Sequence, residues 1–296
     1  MRLLLLGGTG QVGRELRTRL PTGTNCIAPS RAELDLNDPD SFTRVFATEP
    51  WSAVINAAAY TDVDRAESEP TLAFAVNADA PSRLAAETGR RGIPLIQIST
   101  DYVFDGRKGA PYSENDATGP LNAYGRSKLA GEQGVRAATS RHVIVRTSWV
   151  YSATGKNFVR TILRLAAERE RLTIVADQRG CPTAARDIAK ACLDIALRCA
   201  EEPDHAPYGL YHFAGAGEAT WFEFACAILE VAGSRLPRQP QVVPIQTADY
   251  PTKALRPADT RLDCAAIARA FGITARPWRE ALTATIDCLL TEKVRP

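Results

Sequence analysis

No apolar run in this 296-residue chain approaches the roughly 20 residues of a membrane-spanning helix. The opening Met1-Arg2-Leu3-Leu4-Leu5-Leu6 holds four consecutive apolar residues before Gly7, too few for a signal-peptide core, and reads as a buried first strand. Charge of one sign is also missing. Lys and Arg exceed Asp and Glu by only two, so neither a nucleic-acid surface nor a membrane-binding face is expected. Cys26, Cys181, Cys192, Cys199, Cys226, Cys264 and Cys288 are odd in number, scattered and free of any Cys-x-x-Cys. That pattern suits reduced thiols in a cytoplasmic protein and implies no metal site. The three histidines, His142, His205 and His212, have no nucleophile motif beside them, which leaves out a histidine-based triad.

What is present begins at the first strand, which runs into Gly7-Gly8-Thr9-Gly10-Gln11-Val12-Gly13 and an amphipathic helix. Glycines at 7, 10 and 13 allow a sharp turn, close approach to a pyrophosphate and tight helix-on-strand packing. The second strand, Asn25-Cys26-Ile27-Ala28, ends in Pro29-Ser30-Arg31 without the acid that would accept from a ribose 2′-hydroxyl. Ser30 and Arg31 suit a 2′-phosphate instead, favouring NADPH while leaving NADH possible. Alternation over residues 33–38 suggests another short strand; Asp35 and Leu36 either pass near an adenine or, for Asp35, cap a helix or turn.

The strand Ala53-Val54-Ile55-Asn56 gives way to Ala57-Ala58-Ala59-Tyr60-Thr61, whose small side chains keep a crevice open at the strand's carboxyl end; Ala58, Ala59, Tyr60 and Thr61 are expected to border the cofactor there. A further buried strand ends in Ser99-Thr100-Asp101, and Tyr124 and Lys128 follow one helical turn apart. An ammonium at that spacing is expected to favour phenolate and draw the Tyr124 pKa from about 10 toward neutrality, making the phenol a usable general acid.

Strands and helices alternate over about 150 residues, the pattern of a doubly wound, Rossmann-type parallel sheet with helices on both faces, an α/β fold. A strand at 142–146 leads to Thr147-Ser148-Trp149-Val150-Tyr151. Beyond it, residues 156–171 and 184–200 read as helices with a short strand at 172–175 between them, Thr220-Trp221-Phe222-Glu223 as a capping box, and the proline-rich 237–257 as loop. The expected division is residues 1–151 for the cofactor and 152–296 for a smaller C-terminal substrate lobe interleaved with returns to the main sheet.

The glycine loop, the segment from Asn56-Ala57-Ala58-Ala59-Tyr60 to Arg65-Ala66-Glu67, Ser99-Thr100-Asp101-Tyr102-Val103-Phe104-Asp105-Gly106, Tyr124-Gly125-Arg126-Ser127-Lys128-Leu129-Ala130-Gly131-Glu132 and Arg146-Thr147-Ser148-Trp149-Val150-Tyr151 together resemble the dTDP-4-dehydrorhamnose reductases, a family of extended short-chain dehydrogenases/reductases. Asp177-Gln178-Arg179-Gly180-Cys181-Pro182-Thr183 and the stretch from Tyr250-Pro251-Thr252 to Arg261-Leu262 extend the resemblance to the substrate side.

The resemblance implies reduction of the 4-keto group of a dTDP-deoxysugar by a nicotinamide hydride, the last step of dTDP-L-rhamnose formation. Tyr124 would protonate the developing alkoxide, Lys128 would hold the nicotinamide ribose, and Thr100 would hydrogen-bond the carbonyl. It implies Thr9, Gln11, Val12 and Ser99 around the cofactor, and Thr61, Val63, Asp101 and Trp149 around the sugar, with Trp149 either stacking on the deoxyhexose or serving as an ordinary core residue. Arg256 and Arg261 are candidates for the diphosphate or for solvated surface positions.

Some relatives dimerise through magnesium held by acids; here Arg186 and Asp187 stand where two acids are wanted and the tail at 292–295 has one carboxylate. A monomer or a homodimer without a bridging metal is therefore expected. Two other classes share the fold: a non-catalytic NADP-binding regulatory subunit and a nucleotide-sugar epimerase or dehydratase. The intact Thr100, Tyr124 and Lys128 argue against the first, and Tyr102 in place of an acid after Asp101 argues against a dehydratase.

Overall fold

The computed structural model describes every residue except Asn37, Glu49 and 293–296, and only the backbone of Pro39, Thr48 and Glu292. In chain order the first half runs β1 (Arg2–Leu6), α1 (Gln11–Arg17), β2 (Asn25–Ile27), α2 (Pro39–Thr48), β3 (Ala53–Asn56), α3 (Val63–Ser68), α4 (Pro70–Phe74), a π-helical turn (Ala75–Asp79), α5 (Ala80–Arg90), β4 (Leu95–Thr100), α6 (Ala123–Ala138) and β5 (His142–Thr147). The second half runs β6 (Val150–Tyr151), α7 (Phe158–Glu168), β7 (Arg171–Val175), β8 (Arg179–Gly180), β9 (Thr183–Ala184), α8 (Ala185–Glu201), β10 (Gly209–His212), β11 (Ala219–Thr220), α9 (Trp221–Ala232), β12 (Gln241–Ile245), α10 (Ala265–Phe271) and α11 (Trp278–Glu292).

Six strands form one sheet in the order β10-β5-β4-β3-β1-β2, every pair parallel. Both faces are buried, so strands such as Leu3-Leu4-Leu5-Leu6 are apolar throughout rather than alternating. Leu3 and Leu5 pack with Ile188, Cys192 and Ile195 of α8 on one face; Leu4 and Leu6 join the cluster of Phe42, Leu84 and Val135 on the other. A separate core around Tyr151, Ile162, Phe224 and Leu282 joins α7, α9 and α11 beyond the carboxyl ends of the strands.

Two departures from the sequence reading are local. Residues 33–36 turn instead of extending, because Ser30 O accepts both Glu33 N (3.1 Å) and Leu34 N (2.9 Å) and curls the chain toward α2. Within the expected loop at 237–257, β12 pairs in parallel with β7. Val242, Val243 and Ile245 favour extension, and Pro244 is tolerated because β12 has a partner on one side only.

Helix α6 is held where it must be by missing side chains. A Cβ on Gly131 would lie 2.0 Å from Asn77 O in the π-helical turn, and one on Gly125 would lie 2.2 Å from Tyr102 O, just after β4. Asn77 adds hydrogen bonds from its Nδ2 to Ser127 Oγ (3.0 Å) and to Tyr60 O (3.0 Å). The first turn of α6 is thereby pressed against the end of β4.

Candidate active site

A cleft of about 780 Å³ opens over the carboxyl ends of β1, β3, β4 and β5, where parallel sheets of this kind bind ligands. Gly7, Thr9, Gly10, Gln11 and Val12 form one end of its wall. Gly7 has φ +78°, and a Cβ there would lie 2.6 Å from Ala58 N; a Cβ on Gly13 would lie 2.1 Å from Gly7 O. Both positions require glycine, Gly7 for its left-handed backbone and Gly13 for close packing behind the loop. Ala58, Ala59, Thr61 and Val63 continue the wall from the β3 side.

Thr100, Asp101, Tyr124 and Lys128 share this cleft. Thr100 Oγ1 donates to Asp101 Oδ1 at 3.1 Å and accepts Tyr102 N at 3.2 Å. The Tyr124 ring meets Tyr102 edge to face, with centroids 5.7 Å apart. Enclosure pushes the Tyr124 phenol up to about 12, opposed by the Thr100 hydroxyl beside it and reinforced by the charge of Asp101. This corrects the expectation that Lys128 draws the phenol toward neutrality. Burial dominates, and the Lys128 ammonium is instead tied to Ile98 O at 2.7 Å. Burial also lowers Lys128 to about 8 against the opposing charge of Glu132.

Asp101 is 2% exposed, and desolvation raises it to about 6 although the Thr260, Thr100 and Ser148 hydroxyls facing it pull the other way. Its Oδ2 makes no hydrogen bond of good geometry, and neither does the buried hydroxyl of Thr147, the parallel neighbour of Thr100 on β5. Buried polar atoms left unpaired cost about 1–3 kcal/mol each and call for an explanation. Here both line the cleft, as does a third, Thr154 Oγ1. Together with the glycine cradle they fit a polar ligand extended along the sheet edge.

Trp149 also lines the cleft. It has φ +44°, the one positive φ outside glycine among the described residues, and its indole stacks on Trp221 at 3.5 Å and 4°. Trp221 Nε1 donates to Gln178 Oε1 (3.2 Å), and Phe158 closes in at 4.7 Å. The paired indoles make a rigid apolar wall, with the strain that functional sites often retain.

Ser99 also lines the cleft, with its Oγ donating to Glu132 Oε1 (2.5 Å). Other candidates stand elsewhere. The Tyr60 phenol turns to Glu69 Oε2 (2.9 Å). Ser30 and Arg31 are exposed, and Ser30 N donates to Glu33 Oε2 at 2.7 Å. An acid therefore does stand near the end of β2, three residues later than a strand-end position. Asp35 and Leu36 lie in the same turn region, apart from the cleft wall.

Neither arginine offered for a diphosphate lines the cleft. Arg256 donates to both carboxylate oxygens of Asp64 (3.0 and 2.7 Å), and Arg261 is held by Asp259 and Glu218. Their charge is already met by carboxylates, Asp64 and Glu218 from far away in sequence and Asp259 from two residues away. Asp187 is likewise paired, with Arg276 at 2.8 Å; the tail carboxylate of Glu292 and residues 293–295 lie outside the described side chains. Thr147, Thr154, Lys156, Phe158 and Trp221 line the cleft without having been singled out from the sequence; only the Thr220 capping box pointed to the neighbourhood of Trp221.

The family described as the RmlD substrate binding domain matches residues 1–291. The chain is 43% identical over 292 residues to a dTDP-4-dehydrorhamnose reductase of Sinorhizobium fredii, covering 99% of both chains. Among solved structures, it superposes on the dTDP-4-dehydrorhamnose reductase of Clostridium acetobutylicum with a TM-score of 0.90 at 35% identity, covering 98% of this chain and 99% of that one. The Bacillus anthracis enzyme in complex with NADP gives 0.89 at 34%, covering 97% and 98%.

Proposed function

Since the chain belongs to the RmlD substrate-binding family and several of its full-length relatives are dTDP-4-dehydrorhamnose reductases, we propose that Tyr124, Lys128 and Thr100 carry that reductase reaction here. The enzyme reduces the 4-keto group of dTDP-4-dehydro-6-deoxy-L-mannose to give dTDP-L-rhamnose with NADPH as reductant. NADPH, when bound, supplies the hydride to C4 of the sugar. Negative charge then builds on the former carbonyl oxygen, and the protein's part is to orient, stabilise and protonate it.

The observation that supports this assignment most is the convergence of Thr100, Tyr124 and Lys128 in the cleft that begins at the glycine loop. Thr100 donates to the carbonyl oxygen, and Tyr124 delivers the proton. A phenol held at about 12 is fully protonated at neutral pH, the state a proton donor needs, yet it is acidic enough to discharge an alkoxide. Lys128, tied to Ile98 O and largely an ammonium at pH 7, presents its remaining N–H groups to the nicotinamide ribose. Trp149 on Trp221 forms the apolar wall for the deoxyhexose, and Asp101 accepts from a sugar hydroxyl.

The glycine loop would hold the cofactor's diphosphate, and Ser30 and Arg31 would serve a 2′-phosphate; the Glu33 carboxylate nearby moderates that preference and leaves room for NADH. Residues 1–151 form the cofactor-holding part, and 152–296 mostly the substrate lobe. The protein works in the cytoplasm as a monomer or as a homodimer with no metal bridge. No helix among the described residues is long and apolar enough to cross a membrane.

The test is turnover of the purified protein with NADPH and the 4-keto nucleotide sugar. Stoichiometric loss of nicotinamide absorbance with formation of dTDP-L-rhamnose is expected. NADPH binding without any turnover would favour the non-catalytic regulatory reading.

A further inference from the structure

Residues 152–157 belong to the second half of the chain, yet they reach back to the glycine loop. Ser152 Oγ and Asn157 Nδ2 both donate to Gln11 Oε1, at 3.0 and 2.9 Å, across 141 and 146 residues of sequence. The same two side chains fix the loop's own backbone. Ser152 Oγ shares its one proton between Gln11 Oε1 and Thr154 O and accepts Thr154 N, and Asn157 Nδ2 donates to Ser152 O. Gly155, at φ +73°, packs against the Gln11 side chain; a Cβ there would lie 3.1 Å from Gln11 Cγ.

Three groups are left facing the cleft at this end. Thr154 Oγ1 is buried and unpaired, and Lys156 is exposed and has no ion pair or hydrogen bond among the described residues. Gln11, with its oxygen taken by two donors, keeps its Nε2 free to donate. Arg14 adds a second positive charge to the wall. The one carboxylate in the wall, Asp101, follows β4, which lies two strands from β1, about 10 Å at ordinary strand spacing. Donors, two cations and no nearby carboxylate make an environment for a diphosphate.

We propose that residues 152–157 form a clamp on the diphosphate of NADP(H), Thr154 and Lys156 gripping it from the side opposite the glycine loop while Gln11 latches the clamp in place. The proposal rests on the reductase reading of the glycine loop and adds that the second half of the chain holds the cofactor. The diphosphate of the nucleotide sugar is the other source of the same chemistry. Position decides for the cofactor, because Gln11 belongs to the loop that follows β1, whereas Thr100 and Tyr124, which receive the sugar, stand at β4.

The test measures dissociation constants for NADPH and NADH by nicotinamide fluorescence, and for dTDP by calorimetry, in the wild type, Thr154→Val and Lys156→Met. Thr154→Val keeps the shape and removes an unpaired buried hydroxyl, and Lys156 is exposed, so the melting temperature without ligand should not fall in either variant. Each variant is expected to weaken NADPH and NADH by the same factor, about tenfold, with dTDP unaffected. Unchanged NADPH binding, loss confined to NADPH, or loss confined to dTDP would each overturn the clamp.

Gln11→Met provides a second arm. It should weaken both coenzymes, and adding Lys156→Met should then cost less than it does alone, because the latch and the grip act as one unit. Additive losses would overturn the latch. A wild-type protein binding neither coenzyme would instead sink the underlying reductase reading, so the two failures are distinguishable.

Discussion

Glu132 and Arg146 form a bidentate ion pair beneath the cleft, Arg146 Nε to Glu132 Oε1 at 2.9 Å and Nη2 to Oε2 at 2.6 Å, with both side chains 3% exposed. Ser99 Oγ donates to the same carboxylate, and the Arg146 guanidinium lies over the Phe104 ring at 5.0 Å. The pair therefore ties α6, which carries Tyr124 and Lys128, to β4 and β5. Removing one partner strands a buried charge, so Glu132→Ala should lower unfolding free energy by about 3–5 kcal/mol. Replacing both, with Glu132→Leu and Arg146→Met, should recover much of that loss. Denaturant unfolding of the single and double variants checks it.

Gly125 sits against Tyr102 O with no room for a methyl group. Gly125→Ala should push the first turn of α6 away from β4 and misplace Tyr124 relative to Thr100. A shift near 1 Å costs about 10²-fold in turnover. Steady-state kinetics should show kcat falling by that order while NADPH affinity changes little.

Trp221 supports Trp149, whose backbone is held at φ +44°. Trp221→Ala removes the stacking partner, worth about 0.5–1.5 kcal/mol. KM for the nucleotide sugar should rise about two- to tenfold, with NADPH binding unaffected; an unchanged KM would remove Trp149 from the substrate wall.

Asp101 and Lys128 give the fold opposite pH dependences. With its folded pKa raised from 3.8 to about 6, Asp101 binds more protons folded than unfolded in that window, so its contribution to stability declines as pH rises and the penalty is complete above 6. Asp101→Asn should therefore be more stable than wild type at pH 7, by about 3 kcal/mol at most, with the difference gone near pH 3.5. Lys128, lowered from 10.5 to about 8, penalises the fold below pH 8 and releases that penalty as pH rises toward 10.5. Chemical denaturation across pH separates the two.

The parts of the site written in local chemistry were legible before folding. Glycines at 7, 10 and 13 after a strand have few other uses, and the four-residue spacing of Tyr124 and Lys128 fixes a shared helix face. What depended on distant partners was not. Arg256 meets Asp64 from 192 residues away, and nothing near either residue announces it. The ammonium of Lys128 could have served the phenol, but the carbonyl of Ile98 takes it. Prolines around 237–257 masked β12, whose pairing with β7 exists only in three dimensions. Thr147 and Thr154 became visible as unpaired hydroxyls in a cleft wall, a property no spacing encodes.

Proton delivery by Tyr124 is tested most directly by single-turnover oxidation of bound NADPH in Tyr124→Phe. The account predicts a dissociation constant for NADPH within about twofold of wild type and a hydride-transfer rate lower by about 10²–10⁴-fold. Oxidation at the wild-type rate, with NADPH bound normally, would contradict it.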